Sequence, residues 1–276
     1  MRVGAGIAVI VLVSLLLGAW GGWRGHAQLE QGRPRPAGLV QYSWLLAEPG
    51  FVLGYSPWWR NPLWVQWTVH AGPLRDLAPR PRHFVCAPDW LGGVCPDDYR
   101  RSGYDRGHLA PNYAMSRLYG REAQLASFAM HNISPQRHPL NARAWQRLEE
   151  LEMDALRPAL GRAFVVQAGP LFAADAPRLP GGVAVPAAFW RLWFDPGAAA
   201  ATGAAAPPRA LAFILPQQAS GHGDLRQYAV TVDAVEARSG LDLLPALPDA
   251  VEAAVEAALP LAGWGVGERW DAPPRY

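Results

Sequence analysis

The apolar positions along the chain predict short strands arranged around one long helix. Segments rich in aromatic and β-branched residues favour strands, and they cover residues 51–55, 63–70, 163–167, 189–194, 210–215 and 228–232. Residues 142–157 instead carry apolar side chains three and four positions apart, which is typical of an amphipathic helix. Shorter helices are predicted over residues 121–130 and 249–259.

Glycine and proline mark the segments between these elements. Residues 75–107 contain repeated Pro and Gly and are predicted to be rich in loops. Residues 197–208 form an alanine, glycine and proline tract that we interpret as a solvent loop. The tail from residue 263 to 276 is expected to be irregular. Because no internal repeat is visible, the pattern predicts one domain that mixes helices and strands.

The N-terminus has the pattern of an export signal. Met1 and Arg2 precede an uncharged run over residues 3–23, and Ala27 offers a small residue for cleavage. The same run is long enough to cross a bilayer as an uncleaved anchor. Residues 1–27 are therefore predicted to be either a signal peptide or an N-terminal membrane anchor, and residues 28–40 a linker. Both alternatives place the rest of the chain outside the cytoplasm, so that it is periplasmic, secreted or membrane-anchored.

The chain has two cysteines, Cys86 and Cys95, nine positions apart in a loop that contains Pro and Gly. Two cysteines exclude a disulfide-dense scaffold and a four-cysteine zinc site. In an oxidising compartment a disulfide between them is the expected state.

The net charge of the whole chain does not indicate a function. The 276 residues include 25 basic and 23 acidic side chains, for a formal net charge of +2, and every basic residue is arginine. We attribute the missing lysines to genomic base composition, which also explains the many Ala, Gly and Pro. Residues 75–150, however, hold 11 arginines against 8 acidic residues. This modest local excess is compatible with a polyanionic substrate.

Residues 104–111 bring three kinds of reactive side chain together. Asp105, Arg106 and His108 supply a carboxylate, a guanidinium and an imidazole within four positions. A neutral imidazole can take a proton from water near neutral pH. A guanidinium can clamp a phosphate with two hydrogen bonds. An ordinary surface pair between Asp105 and Arg106 is the alternative interpretation.

A second group of polar residues follows between positions 131 and 149. Asn132, Ser134 and Gln136 are expected to hold backbone together by hydrogen bonds. Asn141 and Glu149 are eight positions apart, so they lie on the same helix face two turns apart. An amide oxygen and a carboxylate suit a hard cation that keeps most of its waters. A role for Asn141 as the N-cap of the helix is the structural alternative.

Three motifs together resemble a known family. The run Asp105-Arg-Gly-His108, the run Asn132-Ile-Ser-Pro-Gln136 and the Asn141/Trp145/Leu148/Glu149 spacing resemble the DNA/RNA non-specific endonucleases. These are ββα-metal nucleases that include Serratia nuclease and mitochondrial endonuclease G. The resemblance extends less sharply from Tyr42 to Leu247. It implies an α+β fold, with a mainly antiparallel sheet, flanking helices and a ββα-metal motif, over a domain at residues 41–262.

The resemblance also implies catalytic roles. His108 corresponds to the general base that activates water, and Asn141 to the protein ligand of Mg²⁺, although Mn²⁺ or another divalent cation could serve. Glu149 corresponds to the carboxylate that orients the waters of the ion. Cleavage of DNA or RNA would leave a 5′-phosphate.

Two arginines complete the implied site. Arg106 corresponds to the arginine that binds the substrate phosphate. Arg82 corresponds to a second, upstream arginine that stabilises the transition state, although Arg80 could take this role. Asp105 is expected to orient a neighbouring arginine or loop rather than to bind metal.

Two other functional classes remain as alternatives. The first is a catalytically silent protein with the nuclease fold that binds nucleic acid. The second is a membrane-anchored protein that binds a partner. Members of the family are often homodimers, and no dimer surface is readable from the sequence.

Overall fold

The computed structural model describes residues 32–197 and 206–273 of the chain. The signal peptide or anchor predicted over residues 1–27 lies outside these ranges, as do residues 198–205 of the predicted alanine-rich loop. Across the two described ranges, no helix combines the length and hydropathy needed to cross a bilayer.

Most strands of the described residues belong to one antiparallel sheet. In chain order the strands are β1 (Arg35–Pro36), β2 (Trp44–Glu48), β3 (Phe51–Ser56), β4 (Asn61–Val69), β5 (Asp105–His108), β6 (Ile133–Gln136), β7 (Phe164–Leu171), β8 (Ala188–Asp195), β9 (Arg209–Pro216), β10 (Ala229–Val230) and β11 (Leu241–Asp242). The sheet has the order β10-β9-β8-β7-β4-β3-β2, and each neighbouring pair is antiparallel. Two small ribbons, β1-β11 and β5-β6, lie outside it. The predicted α+β fold is confirmed.

The helices cover the sheet on both sides. α1 spans Asn112–Ala114 and continues through the π-helical turn Met115–Tyr119, and α2 is Arg121–Ser127. α3 consists of four consecutive helical segments, which are Leu140–Trp145, Gln146–Leu151, Glu152–Leu156 and Arg157–Leu160. α4 is Val232–Ser239 and α5 is Asp249–Glu256. Thr231 caps α4 by accepting a hydrogen bond from the Ala234 backbone N–H.

Alternate residues of β8 point into two separate cores. Phe189 and Trp193 pack in the core that contains Trp145 and the rest of the apolar stripe of α3. Trp190 packs in the core that contains the apolar residues of α4 and α5. Because both faces of the strand are covered, β8 is buried along its whole length and reads as a nearly continuous apolar run. The sheet therefore separates α3 from α4 and α5.

Several segments differ from the sequence-based expectation. In the predicted linker, Arg35 and Pro36 pair with Asp242 and Leu241 as strand β1. The tail expected to be irregular contains the 3₁₀ turn Gly267–Asp271 and contributes three buried side chains to the α3 core, namely Trp264, Val266 and Trp270. Strand β2 and helix α4 were not predicted, because β2 is a partly exposed edge strand and α4 has a weak apolar stripe.

Helix α3 begins earlier than expected, which removes one proposed role for Asn141. Its backbone N–H donates to the Arg137 carbonyl at 2.9 Å, so Asn141 already lies inside the first turn. The N-cap interpretation of Asn141 is wrong for this reason.

The predicted disulfide between Cys86 and Cys95 is present. It closes a loop that contains the short 3₁₀ turn Asp89–Leu91. Beneath this loop, Ala87 and Val94 pack with Met130 and Ile133 in a third, smaller core. The closed loop is thus attached to the segment that leads into β6.

Candidate active site

A two-stranded ribbon and the start of α3 form the framework of the site. Strands β5 and β6 pair antiparallel, so that Gly107 lies opposite Ser134 and His108 opposite Ile133. The indole Nε1 of Trp145 donates to the His108 carbonyl at 3.1 Å, which fixes α3 against the ribbon. Two strands followed by a helix therefore bring residues from positions 105 to 149 into one place.

His108 lies in an aromatic enclosure. Its side chain is buried, its ring centroid is 4.7 Å from that of Phe128 and 5.4 Å from that of Phe84, and its Nε2 atom has no hydrogen-bond partner within the described residues. Burial, and secondarily the positive charge of Arg80, lower the pKa of His108 to about 3. The imidazole is neutral at physiological pH and can accept a proton.

Asn141 is held by a carboxylate. Its Nδ2 donates to Asp105 Oδ2 at 2.9 Å, and the same oxygen lies 2.8 Å from His138 Nδ1. Because a carboxylate only accepts hydrogen bonds, the NH₂ group of the amide must face Asp105. The Oδ1 atom of Asn141 is therefore turned away from Asp105. Asp105 was expected to orient a neighbouring arginine or loop; the side chains that its Oδ2 atom contacts are those of Asn141 and His138.

Glu149 lies against a buried ionic cluster that sequence patterns did not reveal. Arg191 of β8 is fully buried, and its Nε and Nη2 donate to the two carboxylate oxygens of Glu152. The guanidinium lies between the rings of Trp67 and Trp145, at 5.1 and 4.9 Å. Since Arg191 and Glu152 are distant in sequence, their pairing carries no local signal.

The remaining nitrogen of Arg191 faces Glu149. Its Nη1 atom makes no hydrogen bond within the described residues and lies 3.9 Å from Glu149 Oε1. Burial raises the pKa of Glu149 to about 8, and the positive charge of Arg191 opposes this rise. A cation in the cleft would shift the same carboxyl group back toward its ionised form.

One open cleft connects these groups. A volume of about 710 Å³ is lined by His108, Asn141, Glu149 and Arg80, among others. An adjoining volume of about 400 Å³ shares Arg80 and Asn141 and adds Asp105 and Arg106. The structure thus brings together the predicted base, both predicted oxygen donors and Arg106.

The upstream arginine in the cleft is Arg80. Arg80 lines both parts of the cleft, and its guanidinium lies 5.1 Å from the centre of the Phe128 ring. Arg82 is exposed two residues further on and lines neither part. In a regular extended segment, residues two apart point to the same side, so the sequence pattern could not separate Arg80 from Arg82. Tertiary packing places Arg80 along the cleft and leaves Arg82 outside its lining.

The three polar residues of the second motif behave differently from one another. The side chain of Asn132 accepts from the Ala110 N–H and donates to the Ala110 carbonyl, each at 2.9 Å. Ser134 Oγ donates to Asn61 Oδ1 at 2.6 Å. Gln136 is buried against Gly107, but its amide atoms have no hydrogen-bond partner within the described residues. The described residues therefore supply no hydrogen-bond partner for the Gln136 side chain, and its expected role stays a prediction.

Three further polar and aromatic residues lie outside the cleft. His131 is buried, with its Nε2 atom 2.9 Å from Glu48 Oε1. Trp59 stacks on Phe172 with ring centroids 4.5 Å apart, and Trp58 is exposed but lines neither part of the cleft. Neither tryptophan contributes to this site.

The donor set of the cleft fits a hard divalent cation. Asn141 presents an amide oxygen and Glu149 a carboxylate on the same wall, and both are oxygen donors. Oxygen ligands with room for water suit Mg²⁺, which binds through few protein groups and keeps several waters.

Comparisons with known proteins identify the family to which the chain is similar. Residues 41–250 match the model of the family described as DNA/RNA non-specific endonuclease. A nuclease of Nostoc sp. is 29% identical over 229 residues, which cover 80% of each chain. A nuclease of Serratia marcescens is 32% identical over 170 residues, or 59% of this chain and 60% of that one. Human mitochondrial endonuclease G is 32% identical over 138 residues, or 49% and 45%.

A solved structure shares the fold. A chain in the crystal structure of an EndoG/EndoGI complex superposes with a TM-score of 0.65 at 23% sequence identity. The superposition covers 82% of this chain and 93% of that chain.

Proposed function

The chain belongs to the DNA/RNA non-specific endonuclease family and is therefore a nucleic-acid phosphodiester hydrolase; we propose that it cuts both DNA and RNA, uses Mg²⁺, and leaves 5′-phosphate ends. The observation that carries this proposal is the shared cleft. His108, Asn141, Glu149 and Arg80 line one volume large enough to admit a phosphodiester backbone.

His108 acts as the general base in this proposal. Its imidazole is neutral because burial and Arg80 lower its pKa to about 3. A neutral ring nitrogen in the cleft can accept a proton from the attacking water. The rings of Phe84 and Phe128 keep the imidazole in place and limit the number of waters around it.

Asn141 holds the divalent ion through Oδ1, and Asp105 fixes the orientation of the amide. When bound, Mg²⁺ supplies Lewis-acid stabilisation of charge on the phosphate and the leaving oxygen. Glu149 faces the same volume and orients water by accepting hydrogen bonds. Arg191 positions Glu149 from the sheet side, where its Nη1 atom lies 3.9 Å from Glu149 Oε1.

The arginines of the cleft bind the phosphate. Arg106 lies over the Phe84 ring at 4.9 Å and lines the smaller part of the cleft, where its guanidinium can clamp a non-bridging oxygen. Arg80 lies between both parts and takes the transition-state role, in preference to Arg82.

A nuclease assay with matched histidine variants tests the mechanism. We expect plasmid DNA and RNA to be degraded with Mg²⁺ and to remain intact with EDTA. His108→Ala should lower kcat by at least about 100-fold, because general-base catalysis contributes 10²–10⁴-fold. His138→Ala is the matched control, since His138 is exposed, lines neither part of the cleft and contacts the site through Asp105 Oδ2.

Two results would count against this function. Full activity of His108→Ala would remove His108 from the mechanism. Binding of DNA in a gel-shift assay without cleavage, across several divalent metals, would favour the silent nucleic-acid-binding alternative.

Export completes the proposal. The uncharged run over residues 3–23 and the Cys86–Cys95 disulfide both suit a protein that acts outside the cytoplasm. N-terminal sequencing of the protein from its producing cells distinguishes a signal peptide cleaved after Ala27 from a retained anchor. Recovery in the cytosol with an intact Met1 would contradict export.

A further inference from the structure

A group of three carboxylates lies where helices α4 and α5 meet. Asp233 and Glu236 come from α4 and Glu256 from the last turn of α5. One carboxylate oxygen of each residue lies within 4.8 Å of the others. The group is separated from the nuclease cleft by the sheet, because α4 and α5 pack on the face opposite to α3.

One oxygen of the innermost carboxyl group lacks a hydrogen-bond donor among the described residues. Glu256 is only 7% exposed, and its Oε1 atom is buried with no hydrogen-bond partner within the described residues. A buried polar oxygen without a partner is costly, and a buried charge more so. Such an atom in a native fold calls for a bound proton or a bound cation.

The surroundings of Glu256 increase this need. The negative charges of Glu236, Glu252 and Asp233 act on the Glu256 carboxyl group, and Glu236 also shares a side-chain hydrogen bond with it. One carboxylate oxygen of Glu236 accepts the Leu243 backbone N–H at 2.7 Å. The positive charge of Arg35 acts on the neighbouring carboxyl groups of Asp242 and Glu252.

The donor type and the access of water indicate the kind of ion. All three donors are carboxylates, which suit hard cations. The oxygens lie within 4.8 Å of one another, and two oxygens bound to one Ca²⁺ at 2.3–2.6 Å can be up to about 5 Å apart, so this ion can bind all three. Ca²⁺ also accepts irregular coordination, whereas Mg²⁺ demands a nearly ideal octahedron. Asp233 is exposed, so it gives the ion a path from solvent and leaves room for water ligands.

From these observations we infer that Asp233, Glu236 and Glu256 form a Ca²⁺ site that joins α4 to α5. The ion neutralises the carboxylate group and holds the last turn of α5 against α4, above the apolar contact that includes Val235 and Val255. Its role is structural. It is independent of the proposed catalytic Mg²⁺ and of the nuclease cleft.

Calorimetric titration of Ca²⁺ into the metal-free protein tests this site. The Asn141→Ala background removes the proposed ligand of the catalytic ion, so that any remaining site can be counted. We expect one Ca²⁺ per chain, with a dissociation constant of about 10⁻⁴–10⁻³ M, as in extracellular modules. Adding Glu256→Gln should abolish binding, and adding Asp233→Asn should weaken it about tenfold.

The matched control is Glu252→Gln in the same background. It removes one neighbouring negative charge from α5 without removing a ligand, so one Ca²⁺ should still bind. Thermal unfolding should show the same pattern, with Ca²⁺ raising the Tm of the control and not that of Glu256→Gln.

Three results would overturn the proposal. Absence of Ca²⁺ binding would show that Glu236 and Glu256 share a proton instead. Equal binding by Glu256→Gln would place the ion elsewhere. Binding of Mg²⁺ in preference to Ca²⁺ would contradict the choice of ion. None of these results depends on nuclease activity, so failure of this site leaves the proposed function untouched.

Discussion

At the scale of single residues, Asp105 determines how Asn141 faces the cleft. Its Oδ2 atom contacts two nitrogen atoms, Asn141 Nδ2 and His138 Nδ1. The Oδ1 atom of Asn141 takes no part in either contact. An asparagine amide has an oxygen and an NH₂ group of similar size. A carboxylate beside it must face the NH₂ group, so the amide oxygen points away from the carboxylate. In the proposed function, where Asn141 would hold the ion, removing such an orienting group is expected to lower metal affinity or activity by about 10–100-fold.

Substituting Asp105 should therefore alter the requirement for Mg²⁺. In Asp105→Ala the Asn141 amide loses its acceptor and can rotate, so we expect the Mg²⁺ concentration for half-maximal cleavage to rise about 10-fold. Activity at saturating Mg²⁺ should fall much less. A titration of nuclease rate against Mg²⁺ measures both quantities. The control is His138→Ala, which leaves the Asp105–Asn141 hydrogen bond intact; an equal shift in both variants would contradict the positioning role.

At the scale of elements, a buried ion pair fixes α3 to the sheet beneath the site. Arg191 projects from β8 toward α3, where Glu152 accepts two of its N–H groups and the Trp193 indole N–H at 2.6 Å. The guanidinium is fully buried between two indole rings. Only arginine has the planar fork and the flat face that this position requires.

Breaking this pair should be far more costly than breaking an exposed pair. Arg191→Met leaves Glu152 buried without its cation, so we expect the free energy of unfolding to fall by about 3–5 kcal/mol. Arg191→Met combined with Glu152→Gln should recover part of this loss because no buried charge remains. Arg226→Met, which removes the exposed partner of Asp224, should leave the urea midpoint nearly unchanged, because solvent screens an exposed pair. Urea unfolding measures all three variants.

The outcome for the double variant decides the interpretation. If Arg191→Met alone is no less stable than the double variant, the buried charge of Glu152 is not the source of the cost.

At the scale of the whole molecule, the net positive charge is small, but it is concentrated in the part of the chain that carries the motif residues. The chain as a whole has a formal charge of only +2, yet residues 75–150 carry 11 arginines and 8 acidic residues. The cleft itself is lined by Arg80, Arg100 and Arg106. These three arginines are few for a polyanionic substrate. The affinity for nucleic acid should therefore fall only moderately as the salt concentration rises.

Salt dependence measures the number of phosphate contacts. If three arginines contact phosphates, a plot of log(1/KM) against log[NaCl] should have a slope of about −3 for duplex DNA. Arg106→Gln should reduce the slope by about 1. Arg82→Gln is the matched control and should leave it unchanged, because Arg82 lines neither part of the cleft. An effect of Arg82→Gln as large as that of Arg106→Gln would return Arg82 to the site.

The sequence by itself determined the family, the α+β class and the identity of the motif residues. Each of these depends on residues that are close together in the chain. The central strands and α3 are visible as apolar runs and periodicity, and the motif around His108 is contiguous. Cys86 and Cys95 could be paired since they are the chain's two cysteines.

Tertiary structure alone decided which side chains meet across the sheet and the cleft. It placed Arg80 and not Arg82 along the cleft, turned Asn141 toward Asp105, and gave the tail around Trp264 a place in the core. It also buried Arg191 beneath Glu149 and brought Glu256 to the carboxylates of α4. These contacts join residues far apart in the chain, and their energies come from burial and charge at close range. No local pattern encodes such contacts, so they exist only once the chain is folded.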